Sequence, residues 1–170
     1  FLTSFQGGGQ VNILTTDVDY PGIEDIDNDG DVDILTFWGL GSFVEYHQNQ
    51  SMELYGVPDS LEFVEVTECW GRFAESDESN VIYLDTCNFN KGNLKSVLDR
   101  HTGSTFLLFD SDADGDQDLI VGIGESLFGG PTPGILMGFR NTGSTSLPNF
   151  ESDNTLVSGI PDVGLNAYPT

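Results

Sequence analysis

Basic residues are scarce. Arg72, Lys91, Lys95, Arg100 and Arg140 stand against 28 Asp and Glu, giving a net charge of −23 over 170 residues. The five are scattered and acids surround them. Nucleic-acid binding needs clustered cations to neutralise phosphates, so this balance argues against it. It argues equally against docking on anionic lipid. No apolar run approaches the roughly 18–20 residues of a membrane-spanning helix, so direct membrane insertion is not expected. His47 and His101 are the only histidines. No nucleophile-elbow motif accompanies them, so a serine-type triad is not expected. His101 reads as a turn residue, and His47 as surface or cross-strand packing.

Apolar content is sufficient for a folded chain. Hydrophobic residues make up 38% and aromatics 11%, too many for a disordered acidic tail, and the length suits one domain with a real core. No long stretch carries a capped 3.6-residue apolar period, so an all-β chain is expected. Strands are expected at Val11–Thr15, Asp33–Trp38, Phe43–Asn49, Thr105–Phe109, Leu119–Ile123 and Gly134–Asn141. Glycine-rich turns at Gly39–Ser42 and Gly129–Gly134 separate them.

The acids are concentrated. Ten of the 28 lie in two nine-residue loops, Asp25-Ile-Asp27-Asn-Asp29-Gly30-Asp31-Val-Asp33 and Asp110-Ser-Asp112-Ala-Asp114-Gly115-Asp116-Gln-Asp118. Each has acids at positions 1, 3, 5, 7 and 9, a glycine at 6, and an apolar run directly after. Carboxylates spaced in this way converge if the backbone curls, and glycine permits the positive-φ turn that curling requires. The expected ligands are Asp25, Asp27, Asp29, the carbonyl of Asp31 and the carboxylate of Asp33. In the second loop they are Asp110, Asp112, Asp114, the carbonyl of Asp116 and the carboxylate of Asp118. An all-oxygen cage suits Ca2+, which takes six to eight oxygens at about 2.3–2.6 Å in irregular geometry; Mg2+ wants a stricter octahedron. Zn2+ wants Cys or His, and neither loop has one. An EF-hand needs Glu at position 12 and flanking helices. Position 12 is Thr36 or Val121, and the flanks read as strands. Two Ca2+ sites are therefore expected, moving the net charge from −23 to −19. A solvated acidic turn is the plainer reading of one loop alone, and duplication with glycine in register argues against it.

The loops start 85 residues apart within a longer repeat: strand, acidic loop, strand, glycine turn, then a strand ending in aromatic-x-Asn at Asn49 and Asn141. Residues 1–170 are read as one segment. A blade-like unit spans about 11–50 with loop 25–33, and another about 104–150 with loop 110–118. An insertion lies at about 51–98 and holds Cys69 and Cys87. The cysteines form one disulfide or two buried thiols, and a calcium-rich exterior favours the disulfide. Trp38 and Trp70 read as packing residues more than as sugar-stacking platforms. The chain begins at Phe1 rather than Met and is read as a portion of a longer secreted precursor.

The loop pattern, followed by Ile34-Leu35 or Leu119-Ile120, resembles the FG-GAP/VCBS repeat of integrin-α-type β-propellers. Asp19-Tyr20-Pro21-Gly22-Ile23, Glu45-Tyr46-His47-Gln48-Asn49, Cys69-Trp70-Gly71-Arg72-Phe73, Arg100-His101-Thr102-Gly103-Ser104-Thr105 and Leu119-Ile120-Val121-Gly122 are similar to VCBS-repeat proteins secreted by Bacteroidetes. The resemblance implies propeller blades with calcium loops, cell-surface or extracellular localisation, and export by type IX secretion. Seven blades would not fit in 170 residues, so a partial propeller of two to three blades is expected. The implied function is non-enzymatic adhesion or binding to protein or glycan at the cell surface. The alternatives are a calcium-dependent hydrolase propeller, or a passive cargo or spacer module that engages the type IX machinery.

Overall fold

The computed structural model describes residues 2–16, 19–37, 43–75, 81–87, 104–123 and 135–160. Trp38, His101 and the glycine turns expected at 39–42 and 129–134 lie outside them.

The chain opens with a hairpin, β1 (Thr3–Gln6) and β2 (Gly9–Asn12). Its two-residue turn, Gly7-Gly8, has positive φ at both positions, the backbone that matches the right-handed twist of paired strands. An antiparallel meander follows: β3 (Gly22–Glu24), β4 (Asp33–Phe37), β5 (Val44–Asn49) and β6 (Phe63–Thr67). A single helical turn, α1 (Ser51–Tyr55), links β5 to β6 and ends on Gly56 in the left-handed region. β1 joins the outer edge of β6 in parallel, giving the sheet order β2-β1-β6-β5-β4-β3.

A 3-10 turn (Trp70–Arg72) and a small antiparallel pair, β7 (Ala74–Glu75) with β8 (Ile82–Tyr83), come next. The second meander then repeats the plan of the first with β9 (Thr105–Phe109), β10 (Asp118–Ile123), β11 (Ile135–Asn141) and β12 (Phe150–Ser152). Each acidic loop connects the first and second strands of its meander.

Strand alternation explains the packing. Leu35, Phe37, Val44 and Tyr46 point from one side of the first sheet. Phe106, Leu108, Leu119, Val121, Ile123 and Phe139 point from the second, and all join one buried cluster. Phe37 stacks on Phe106 with ring centroids 4.7 Å apart. Gly22 on β3 sits against both sheets, where a Cβ would be in ordinary contact with Leu35 Cβ at 3.4 Å and Phe106 Cβ at 3.6 Å. The central strands β4 and β10 are buried on both faces, and that is why apolar residues stand side by side in them, Ile34-Leu35 and Leu119-Ile120-Val121.

The Cys69–Cys87 disulfide is formed. Trp70, next to it, is buried against Phe73 and Phe150. Arg72, at the end of the 3-10 turn, donates to Asp85 from both Nε and Nη2. Among the described residues no helix is long and apolar enough to cross a membrane.

Three expectations shift. The strand expected at Val11–Thr15 ends at Asn12 and belongs to the hairpin. The strand that enters the first loop is the shorter β3, because Val11 and Leu14 face solvent while Gly22 meets the core. The fourth strand of the first meander, β6, falls within the stretch read as an insertion at 51–98. His47 is buried, as its cross-strand packing reading has it and its surface reading does not: its Nε2 lies 3.4 Å from Glu45 and 3.5 Å from Thr36 of β4, which pairs with Glu45.

Candidate metal centre

The two acidic loops share one backbone design. Position 1 accepts two amide hydrogens: Asp25 from Asp29 and Gly30, Asp110 from Asp114 and Gly115, all at 3.0–3.2 Å. Position 5 accepts one: Asp29 from the Asp31 N–H, Asp114 from the Asp116 N–H, each at 2.9 Å. Position 4 is left-handed in both, Asn28 and Ala113 each at φ 62°, and so is position 6, Gly30 at 101° and Gly115 at 93°. The alternation of ordinary and left-handed residues curls the chain so that alternate side chains converge. One oxygen from each of Asp25, Asp27 and Asp29 lies within 4.8 Å of the other two, and the same holds for Asp110, Asp112 and Asp114. Two oxygens on opposite sides of one Ca2+ stand about 5 Å apart, so each triad fits around a single ion.

Position 9 is not a member of either triad and accepts hydrogen bonds from the neighbouring backbone and hydroxyls. Asp33 is fully buried; its Oδ1 accepts the Asn49 N–H at 2.8 Å, and its Oδ2 accepts the Ile26 N–H and the Tyr46 hydroxyl at 3.0 Å each. Asp118 repeats this, taking the Asn141 N–H at 2.8 Å and both the N–H and hydroxyl of Ser111. These carboxylates clamp the end of the loop to the third strand. The two asparagines in turn shape the connection to the fourth strand: Asn49 holds Ser60 and Glu62, and Asn141 holds Gly143, Ser144 and Asn149. Burial pushes the Asp33 carboxyl up to about 7, against hydrogen bonds that pull it down.

Position 7 differs between the loops. The Asp31 side chain is buried, and its Oδ2 accepts the Met52 N–H at 2.9 Å. It thereby caps the first turn of α1, where Gln50 makes no capping hydrogen bond of its own. Asp116 is half-buried in the second loop.

Electrostatics around the first loop are strained. Asp27 and Asp31 have raised pKa values, through burial first and then repulsion from neighbouring carboxylates. Glu53, on α1, is raised by partial desolvation and then by Asp29, Asp27 and Asp31. Oδ1 of Asp27, Oδ2 of Asp29 and Oδ1 of Asp31 are shielded from solvent and have no hydrogen-bond partner among the described residues. Buried carboxylate oxygens are costly unless a hydrogen bond or a cation satisfies them. The donor set is all oxygen, which fits a hard cation.

Two contributors, Gln48 and Arg140, come from outside the loops and carry no motif, and a third contact joins one loop to the other. Gln48 Nε2 donates to Asp27 at 2.5 Å and to Glu53 at 2.9 Å. Arg140 sits at the matching place on β11, one residue before the clamping asparagine. Its guanidinium binds Asp112 at 2.5 Å and Asp153 at 3.0 Å. Asn28 reaches from the first loop to the second and donates to the Gly115 carbonyl at 2.9 Å. Matching the repeats at Asn49 and Asn141 aligns Gln48 with Arg140 in the sequence; the identity of their partners needed the fold.

No family model matches the chain, and no curated protein or solved structure is found similar to it.

Proposed function

We propose that the chain is a calcium-binding module in which two bound ions stiffen one edge of a pair of propeller-type blades. The observation that carries this reading is the duplicated loop, whose carboxylate triads converge on one point in each repeat. In the first loop Asp27 Oδ1 and Asp29 Oδ2 also have no hydrogen-bond partner among the described residues. The proposed ligands at the first site are Asp25, Asp27 and Asp29, with the Asp31 carbonyl. At the second they are Asp110, Asp112 and Asp114, with the Asp116 carbonyl. Asp33 and Asp118 act as clamps on the loop ends.

Calcium here is a structural component. Each ion offsets carboxylate repulsion and fixes the loop conformation, so the exposed surface at that edge becomes rigid and suited to contacts with protein or glycan. The propeller blades of FG-GAP/VCBS type, the extracellular location and the non-enzymatic adhesive role belong to the same proposal. The disulfide supports an oxidising compartment, and calcium at extracellular concentration fills even sites of about 10^-4 to 10^-3 M.

The test is metal counting by calorimetry and native mass spectrometry on the EDTA-treated chain titrated with CaCl2. Calcium should bind the wild type, and D27N with D112N should remove binding at both triads. A wild type that takes up no calcium, or a double variant that binds as the wild type does, sinks the reading.

A further inference from the structure

We propose that the first loop holds a second divalent cation, bound by Asp29, Asp31 and Glu53, for which the second loop has no counterpart. The inference rests on the calcium reading of the loops and extends it from two ions to three.

One oxygen from each of these three residues lies within 4.8 Å of the other two, separately from the Asp25–Asp27–Asp29 triad. Asp29 belongs to both groups and is placed to bridge two ions. Asp31 is only 1% exposed. Its Oδ2 is taken by the Met52 N–H, while its Oδ1 has no partner among the described residues and no access to water. Oδ2 of Asp29 is in the same state, its Oδ1 being held by the Asp31 N–H. Two of the three members therefore carry a buried, unpaired carboxylate oxygen within a group whose carboxylates come within 4.8 Å of one another, an arrangement that a cation relieves.

The third member arrives on a separate element. Met52 ties α1 to Asp31, and the next residue, Glu53, brings its carboxylate to the edge of the group. Gln48 Nε2 stands between the triads, donating to Asp27 on one side and Glu53 on the other. Glu53 is exposed, so water completes the coordination, as Ca2+ readily permits. The charge agrees. Asp25, Asp27, Asp29, Asp31 and Glu53 carry five negative charges, and none forms an ion pair with a basic side chain among the described residues. One Ca2+ leaves three charges uncompensated and two leave one.

The second loop serves as an internal control. No helical turn follows β11; Asn141 leads through a tight turn into β12. Asp116 joins no such triad among the described residues. The place of Gln48 is taken by Arg140, which already sets a positive charge on Asp112.

The test compares the wild type with E53Q and E53A, each stripped with EDTA and titrated with CaCl2, with bound ions counted by native mass spectrometry and calorimetry. Three equivalents are expected for the wild type and two for both variants, with unchanged circular dichroism. Two equivalents in all three proteins overturn the inference and leave the two-ion reading standing. No binding in any of them overturns both.

Discussion

The side-chain amide of Asn28 donates to the backbone carbonyl of Gly115 across 87 residues of sequence. Position 4 of one acidic loop is thus fastened to position 6 of the other, and the two candidate ion sites share an edge of the molecule. Ordering one loop should order the other. Asn28 is left-handed, so N28G keeps the backbone and removes only the bridge. In the wild type, D112N should weaken calcium binding at the first loop as well as abolish it at the second. In N28G the first loop should become indifferent to D112N. A double-mutant cycle by calorimetry measures the coupling; equal effects of D112N in both backgrounds contradict it.

Gln48 and Arg140 hold corresponding carboxylates with different charge. A guanidinium competes with an incoming cation, whereas a neutral amide does not. R140Q should raise calcium affinity at the second loop by about tenfold, equivalent to roughly 1.4 kcal/mol, and Q48R should lower it at the first. The difference should shrink as salt screens the partly exposed Arg140. Titration of both variants at low and high ionic strength checks this, and equal affinities would count against it.

Calcium should dominate thermal stability. A site held at about 100 times its Kd contributes roughly 2.7 kcal/mol. At this chain length about 1 kcal/mol moves the Tm by roughly 2–4 °C. Two filled sites then correspond to a loss of about 10–20 °C on adding EDTA, read by differential scanning calorimetry. Reduction of Cys69–Cys87 acts independently by relaxing the unfolded chain, with a loss of roughly 3 kcal/mol for a loop of this size. The two losses should add, since they act on different parts of the molecule.

The calcium-free chain should respond to pH in the direction opposite to ordinary acid denaturation. The Asp33 carboxyl is raised from 3.8 to about 7 in the fold, so between those values the native state holds more protons than the unfolded one. Its contribution is full below about 4 and is lost as pH rises through about 7. Asp27, Asp31 and Glu53 are raised too and act in the same direction. Urea melts in EDTA should show stability falling from pH 5 to pH 7.5, with a shallower slope in D33N. A rising slope would contradict the assigned protonation.

Strand positions were largely legible because alternation and apolar runs are local. Thr105–Phe109 matches its strand at both ends, and β10 begins one residue before the expected Leu119. The entry to the first loop was not legible, since Gly22-Ile23-Glu24 is three residues long and pairs only because β4 lies beside it. Asp33 was read as closing the ion cage because its spacing continues the alternation. The spacing did not reveal that Asn49 and Tyr46, on another strand, donate an amide and a hydroxyl to the same carboxylate.

The order of acids and glycines along each loop determined its curl, because left-handed turns at fixed positions and side chain to backbone hydrogen bonds act within five residues. Local chemistry of that kind is written in the chain. The tertiary structure decided which charges meet: Glu53 beside Asp31, Arg140 on Asp112, Asn28 on Gly115. Those meetings depend on how the strands pair and pack, and electrostatic energy follows distance in space, which spacing in sequence does not specify.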